Sequence, residues 1–274
     1  MAVFFIMVTM SQKKFLHVYK LTVAYDGTDY KGWQWQPRGK TIESVLRSAF
    51  EYAFCQTRDD YFLVGASRTD AGVHAAGQVV RLCTSLDLES ATLMRVLNSI
   101  LSHDIMIMQV QRVEPLFHPQ HAIISKKYVY TVYQKRPSPQ NQRYGWYFYY
   151  PVQQDLLKKT MTLFVGTHDF HYFCKEDIQK DTVRTLQEAY CEYDVKNEIY
   201  TITCVGSSFL RYMVRRIVGV ALYVAAEKKI TYDAVREALL YTQPLVIMPT
   251  APSKGLCLQE IVYNNEARKD VINE

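Results

Sequence analysis

Polar and apolar positions alternate from the fifteenth residue onward. Phe15, His17, Tyr19, Leu21 and Val23 fall on one face of an extended segment, and Val18, Lys20, Thr22 and Ala24 fall on the other. That period of two predicts a strand over 15–24, closed by the turn residues Asp26-Gly27-Thr28. The period then lengthens. Behind Thr41, which has the chemistry of a helix N-cap, Ile42, Val45, Leu46, Ala49, Phe50, Ala53 and Phe54 recur as one helical face. A short apolar run predicts a strand over 61–64 and a second strand over 77–83. An amphipathic helix over 90–101 is carried by Leu93, Val96, Leu97, Ile100 and Leu101, and a strand over 106–113 follows.

The second half repeats this mixture. A tyrosine-rich strand over 127–133 leads to a helix over 155–165 that Gly166 stops. Strands over 184–194 and 199–205, helices over 209–228 and 232–241, and a closing strand over 255–263 complete the order. Strands of antiparallel type mixed with helices predict an α+β fold of two sheet-plus-helix halves meeting near residues 114–124. The expected organisation is an N-terminal half over 15–118 and a C-terminal half over 119–264. An apolar leader over 1–14 and a polar tail over 265–274 lie outside both.

Composition narrows the classes. With 49% hydrophobic residues in 274, the chain can build a real core, and its net charge of +5 permits an anionic partner without requiring one. Tyrosine is over-represented at 21 residues, a side chain that covers sheet faces and on which RNA bases also stack. The six cysteines are scattered without a Cys-x-x-Cys pair, which fits reduced thiols in a cytoplasmic protein and argues against a zinc site. The apolar start is too short to span a bilayer and lacks a basic leader, so no membrane association is expected. His168-Asp169-Phe170-His171 is thin as a metal set, and no glycine-rich phosphate loop occurs. The chemistry is expected to use neither metal nor nucleotide cofactor.

Three segments carry candidate chemistry. In Gly65-Ala-Ser-Arg-Thr-Asp-Ala-Gly-Val-His74, Arg68, Thr69, Asp70 and His74 gather on a glycine-punctuated loop after a strand. Such a carboxylate can act as nucleophile or base, or can simply cap a turn. The helix around Arg215 is apolar nearly all round, and Arg211 and Arg215 fall one turn apart on it. A guanidinium buried there requires a carboxylate or a phosphate; Asp70 is a candidate, and the alternatives are a structural salt bridge with another acid or an arginine at the exposed start of the helix. In Ser125-Lys126-Lys127-Tyr128-Val129-Tyr130, an aromatic beside lysines suits base stacking next to phosphates, or cross-strand packing in a sheet. A glycosidase would need a second positioned carboxylate, for which no acid near Asp70 in the sequence is an evident candidate.

Taken in order, these segments resemble the bacterial tRNA pseudouridine synthase A family. The matching stretches are Tyr25-Asp-Gly-Thr-Asp-Tyr-Lys-Gly-Trp-Gln-Trp-Gln36, Ser67-Arg-Thr-Asp-Ala-Gly-Val-His-Ala-Ala-Gly-Gln-Val79, Phe117-His118, Lys126-Lys-Tyr-Val-Tyr130, Gly166-Thr-His-Asp-Phe170, Phe209-Leu-Arg-Tyr-Met-Val-Arg-Arg-Ile-Val-Gly219 and Thr250-Ala-Pro-Ser-Lys-Gly-Leu-Cys-Leu258. The resemblance implies two ferredoxin-like halves forming one continuous, mostly antiparallel sheet flanked by helices, with the catalytic cleft between them. It implies isomerisation of uridine to pseudouridine at positions 38, 39 and 40 of the tRNA anticodon stem-loop, by a homodimer. Asp70 matches the catalytic aspartate, Tyr128 the tyrosine that stacks on the target uracil, and Arg215 the basic partner of the aspartate. Arg68 matches an arginine that helps extrude the base, a step a stacked uridine requires. Lys126, Leu256 and His74 complete the implied substrate-binding set, His74 as a loop anchor or an RNA contact. One departure is Gln120, where family members often carry arginine.

Overall fold

The computed structural model of the chain describes residues 16–175, 181–240, 244–245 and 247–264. The apolar leader, the polar tail and the last residue of the helix predicted over 232–241 lie outside the described residues. Packing divides the chain into two units, one running to Ile123 and including Asn264, the other spanning Ile124–Tyr263. Each combines largely antiparallel strands with helices, so the fold is α+β.

In the first unit, β1 (His17–Tyr25) lies between β4 (Ile105–Val113) and β3 (His74–Thr84), and β2 (Tyr61–Gly65) pairs with β3; all three pairings are antiparallel. Tyr19, Leu21, Val23 and Tyr25 of β1 are buried, as the alternation requires. Helices α1 (Ile42–Phe54) and α2 (Ser90–Ile100) pack against each other. Helix α1 starts where its sequence says it should. The Ser44 N–H donates to Thr41 Oγ1 at 3.2 Å and the Thr41 N–H donates to Ser44 Oγ at 3.0 Å, a reciprocal cap. Its face of Ile42, Leu46, Ala49 and Phe50 is buried, and each of the larger side chains contributes about 1.5–3 kcal/mol to stability. Strand β3 begins three residues earlier than its apolar run, because Ala75 pairs with Tyr25. The register slips between Val23↔Gln78 and Tyr25↔Ala75, which places an extra residue in β3 immediately after the loop bearing Asp70.

The second unit contains β5 (Ile123–Tyr133), β6 (Trp146–Tyr147), α3 (Gln154–Thr162), β7 (Gly166–Asp169), β8 (Val183–Asp194), β9 (Ile199–Gly206), α4 (Met213–Ala225), α5 (Tyr232–Leu239) and β10 (Leu256–Tyr263). Its strand order is β10-β5-β9-β8-β7, with β6 joined in parallel to β5. Helix α3 packs on α4 and on β8. Strands β6 and β7, of two and four residues, are too short to leave a period in the sequence. Helix α4 is buried along nearly its whole circumference, as its composition demands, but it is shorter than the predicted 209–228. Tyr212 adopts a left-handed backbone conformation, φ 64°, and ends any helix running in from Phe209. Arg211 therefore precedes the helix, and the expected Arg211–Arg215 helical face does not exist.

Candidate active site

Residues 66–73 connect β2 to β3, and their backbone is fixed at nearly every step. The Ala66 N–H donates to Val79 O at 2.8 Å. The Gln78 side chain, fully buried in β3, accepts from the Ser67 N–H at 3.2 Å and donates through Nε2 to Ser67 O at 2.6 Å. A side-chain amide here imitates a strand neighbour, satisfying both polar groups of one buried peptide residue. Thr69 is held twice. Its carbonyl accepts from the Trp33 N–H at 3.1 Å and its hydroxyl lies 2.9 Å from Tyr25 Oη. The Gly72 N–H donates to Tyr30 O, and the Val73 N–H closes a turn on Asp70 O at 3.2 Å.

This tethering sorts the side chains. Ser67 and Thr69 point inward and are buried, whereas Arg68 is exposed and Asp70 half-exposed. Of the polar side chains here, Arg68 and Asp70 keep exposure to solvent. The neighbouring loop approaches closely. A Cβ at Gly27 would lie 2.0 Å from Val73 O, and one at Gly65 would lie 2.4 Å from the ring of the buried Trp33. Neither position admits a larger residue without movement.

His74 heads β3 and is buried. Its Nδ1 lies 3.2 Å from the Gly27 nitrogen and 3.1 Å from Asp26 Oδ1, so the imidazole pins the 26–28 turn to the end of the loop. Of the two roles expected of it, these contacts support the loop anchor. Gln120 donates through Nε2 to Gly65 O at 2.9 Å, at the entrance to the same loop. The sequence gives no role to Gln78, Tyr25 or Trp33. The available signal for Gln78 was a polar amide in an otherwise apolar strand.

In the second unit, Lys126, Tyr128 and Tyr130 alternate along β5 and share a face. Tyr128 is buried, with its ring edge-on to Phe209 at 5.0 Å. Tyr130 is a packing residue: its hydroxyl donates to Pro252 O at 2.7 Å, and its ring fills the space that a side chain at Gly255 would take. Burial pushes the Lys126 ammonium down to about 8. Leu256, buried, opens β10.

Arg215 lies in the first turn of α4 and is half-buried. Its Nε–H donates to Ala251 O at 2.8 Å, while its own carbonyl accepts from the Ala251 N–H at 3.0 Å. The guanidinium carbon lies 4.9 Å from the centre of the Tyr212 ring. Arg216 turns the other way and donates through Nη1 to the carbonyls of Tyr172 and Cys174. His168 and Asp169 belong to β7, where Asp169 Oδ1 accepts from the His171 N–H and the Thr182 hydroxyl. Among the described residues, no group of three or more His, Cys, Asp or Glu could hold a metal ion.

A family model described as tRNA pseudouridine synthase matches residues 21–121 and 161–264, both the loop of Asp70 and the helix of Arg215 included. The chain is 34% identical over 254 residues to tRNA pseudouridine synthase A of Thermodesulfovibrio yellowstonii, covering 89% of this chain and 98% of that one. It is 37% identical over 258 residues to tRNA pseudouridine synthase A 1 of Protochlamydia amoebophila, covering 92% and 98%. A Thermoanaerobacter tRNA pseudouridine synthase A is 36% identical over 246 residues, covering 89% and 98%. With the family model across most of its length and relatives matched almost end to end, the chain belongs to the tRNA pseudouridine synthase family.

Proposed function

We propose that this protein isomerises uridine to pseudouridine at positions 38, 39 and 40 of the tRNA anticodon stem-loop, with Asp70 as nucleophile. The observation that carries the proposal is the half-exposed carboxylate of Asp70 on a loop whose inward side chains and backbone are tied down. Such a group is preorganised without being shielded from substrate.

The reaction breaks the N1–C1′ bond, turns the uracil and forms a C5–C1′ bond; the proton on C5 leaves and N1 gains one. Asp70 adds to the nucleoside, at C6 of the base or C1′ of the ribose, and is regenerated when the new bond has formed. Because a stacked base is out of reach, the nucleotide must first be extruded, the role of the exposed Arg68. Tyr128 stacks on the extruded uracil, Arg215 serves as the basic partner of the aspartate, and Lys126 and Leu256 complete the substrate contacts. The reaction requires no redox change, and the enzyme is proposed to work as a cytoplasmic homodimer without metal or cofactor.

The test is to map pseudouridine in an unmodified tRNA transcript incubated with the pure protein alone. Product is expected at anticodon-arm uridines. Asp70→Asn should lower turnover by at least roughly 10³-fold, as loss of a nucleophile does. Its affinity for tRNA should stay within about threefold, since phosphate contacts dominate binding. Wild-type protein without product, or an active Asp70→Asn variant, would refute the assignment.

A further inference from the structure

Trp33 and Trp35 share one loop of the first unit and are placed in opposite ways. Trp33 is buried against Gly65, and its N–H donates to Thr69 O in the Asp70 loop. Trp35, two residues on, is 39% exposed. Its main chain is nevertheless fastened. The Trp35 N–H donates to Glu43 Oε2 at 2.9 Å, and the Gln34 amide donates to the same oxygen at 2.9 Å. Arg47 takes the other carboxylate oxygen through Nε at 3.0 Å and Nη2 at 2.7 Å. At the start of α1 the N–H groups of Ile42 and Glu43 donate to Gly32 O and Trp33 O. Residues 32–35 are therefore pinned along the first turn of that helix.

Glu43 is itself buried, and a carboxylate withdrawn from water is costly unless it is paired and its oxygens are hydrogen-bonded. Arg47 supplies the pair, and the loop supplies both donors to Oε2. The indole of Trp35 is steadied as well: the Arg58 guanidinium carbon lies 4.8 Å from the centre of its ring, and Arg58 Nε lies 4.0 Å from Glu51 Oε1. An aromatic ring fixed in this way loses little further freedom when a ligand settles on it.

The surroundings indicate which ligand. From Tyr30 to Ile42 the chain carries Lys31, Arg38 and Lys40 and no acid, and all three cations are exposed. Between residues 34 and 40 only Trp35 and Pro37 are apolar, too little for a protein surface to bury. An exposed ring among cations suits a ligand that joins a flat π-face to negative charge, as a nucleotide does.

We infer that Trp35, steadied by Arg58, is a stacking platform for an unpaired nucleobase of the tRNA. This rests on tRNA being the substrate. It adds to that reading a binding contact outside the reacting groups, on the same loop whose Trp33 holds Thr69.

The first measurement needs no variant. Acrylamide quenching of tryptophan fluorescence is followed in the wild-type protein, free and saturated with an unmodified tRNA transcript. The exposed indole should be quenched in the free protein and protected in the complex, and Trp35→Phe should lack that component of the signal. The second measurement is affinity for the transcript against salt. Trp35→Ala is expected to weaken binding about five- to fiftyfold, as the loss of one stacked base does, and Trp35→Phe, which keeps a ring, by no more than about threefold. The slope of log affinity against log salt should be the same in all three proteins, because stacking releases no counterions. Trp35→Ala should raise KM and leave kcat within about twofold.

An indole equally open to acrylamide with and without tRNA would overturn the platform, even if Trp35→Ala unfolds too readily to be assayed. So would wild-type affinity in Trp35→Ala, or a weaker affinity accompanied by a flatter salt dependence. Altered subunit association with unchanged tRNA affinity would make Trp35 a protein contact and equally overturn it. If the wild type protects Trp35 on binding tRNA but modifies no uridine, the functional assignment fails while the platform stands.

Discussion

The loop bearing Asp70 and the segment bearing Arg215 are held in opposite ways. The loop is secured mainly by neutral groups: main-chain hydrogen bonds from Trp33, Gly72 and Ala66, the amide of Gln78 and the hydroxyl of Tyr25, with the His74–Asp26 pair at its end. The start of α4 is secured by charge. Arg215 and Arg216 donate to the carbonyls of Ala251, Tyr172 and Cys174, and Tyr212 collects cations on its ring. Neutral, buried ties are little affected by salt. Charged ties at a surface respond to ionic strength, to pH and to the arrival of an anion. The proposed reaction, which sets a nucleophile against a base of a polyanion, has use for both kinds of tie.

The contrast breaks most severely at Gly27. An alanine there puts its Cβ 2.0 Å from the Val73 carbonyl, a backbone atom that cannot swing aside as a side chain would. One of the two loops must move. Gly27→Ala should therefore lower kcat by on the order of 10²-fold, the cost of displacing a reacting group by about 1 Å. Overpacking should also reduce stability by about 1–3 kcal/mol. Stopped turnover assays and thermal unfolding check the two together. Wild-type kcat in a Gly27→Ala protein would show that the tight stacking of the loops is not what positions Asp70.

Gln78 offers a finer cut, because it can be altered without a steric clash. Gln78→Leu strips the Ser67 N–H and carbonyl of their buried partner, at about 1–3 kcal/mol for each group left unsatisfied. The expected outcome is a kcat reduced roughly tenfold or more with KM for tRNA little changed. A Gln78→Leu protein that is less stable but turns over normally would reduce the amide to a structural tie.

Most of the frame was legible before any coordinates, and the reasons for the gaps are specific. Helix α1 was readable from its cap and its apolar face, and β1 from its alternation, since in both the burial pattern is the sequence pattern. The start of α4 was not. Apolar periodicity continues through Leu210 and Met213, and nothing in the letters says that a tyrosine will take a left-handed conformation between them. Hence Arg211 and Arg215 read as one helical face and are not. Arg68 and Asp70 could be singled out as chemistry, but which side of the loop faces outward depended on Gln78, eleven residues from the Ser67 it holds. His74 illustrates the same limit. Its letter fits catalysis, contact or anchoring, and only the nearness of Gly27 and Asp26 separates them.

The smallest expected effect lies on the charged side of the comparison, at Lys126. Burial pushes its ammonium down to about 8 in the folded protein, against an unperturbed lysine value of about 10.4. The sign follows from linkage. Below pH 8 the group is charged in both folded and unfolded chains, and its desolvation opposes folding. As pH rises from about 8 towards 10.4, the folded chain releases a proton that the unfolded chain retains, so stability contributed by this site increases. Binding to RNA should move in the opposite sense, because Lys126 loses its charge in the folded chain as pH rises through about 8. Lys126→Arg keeps its charge throughout and separates this residue from every other group, RNA included, that titrates over the same range. The ratio of wild-type to Lys126→Arg affinity for the stem-loop should fall about three- to tenfold from pH 7 to pH 9 if the ammonium meets a phosphate. A ratio constant across that range would take Lys126 out of the substrate site and leave it as a lysine stem packed along β5.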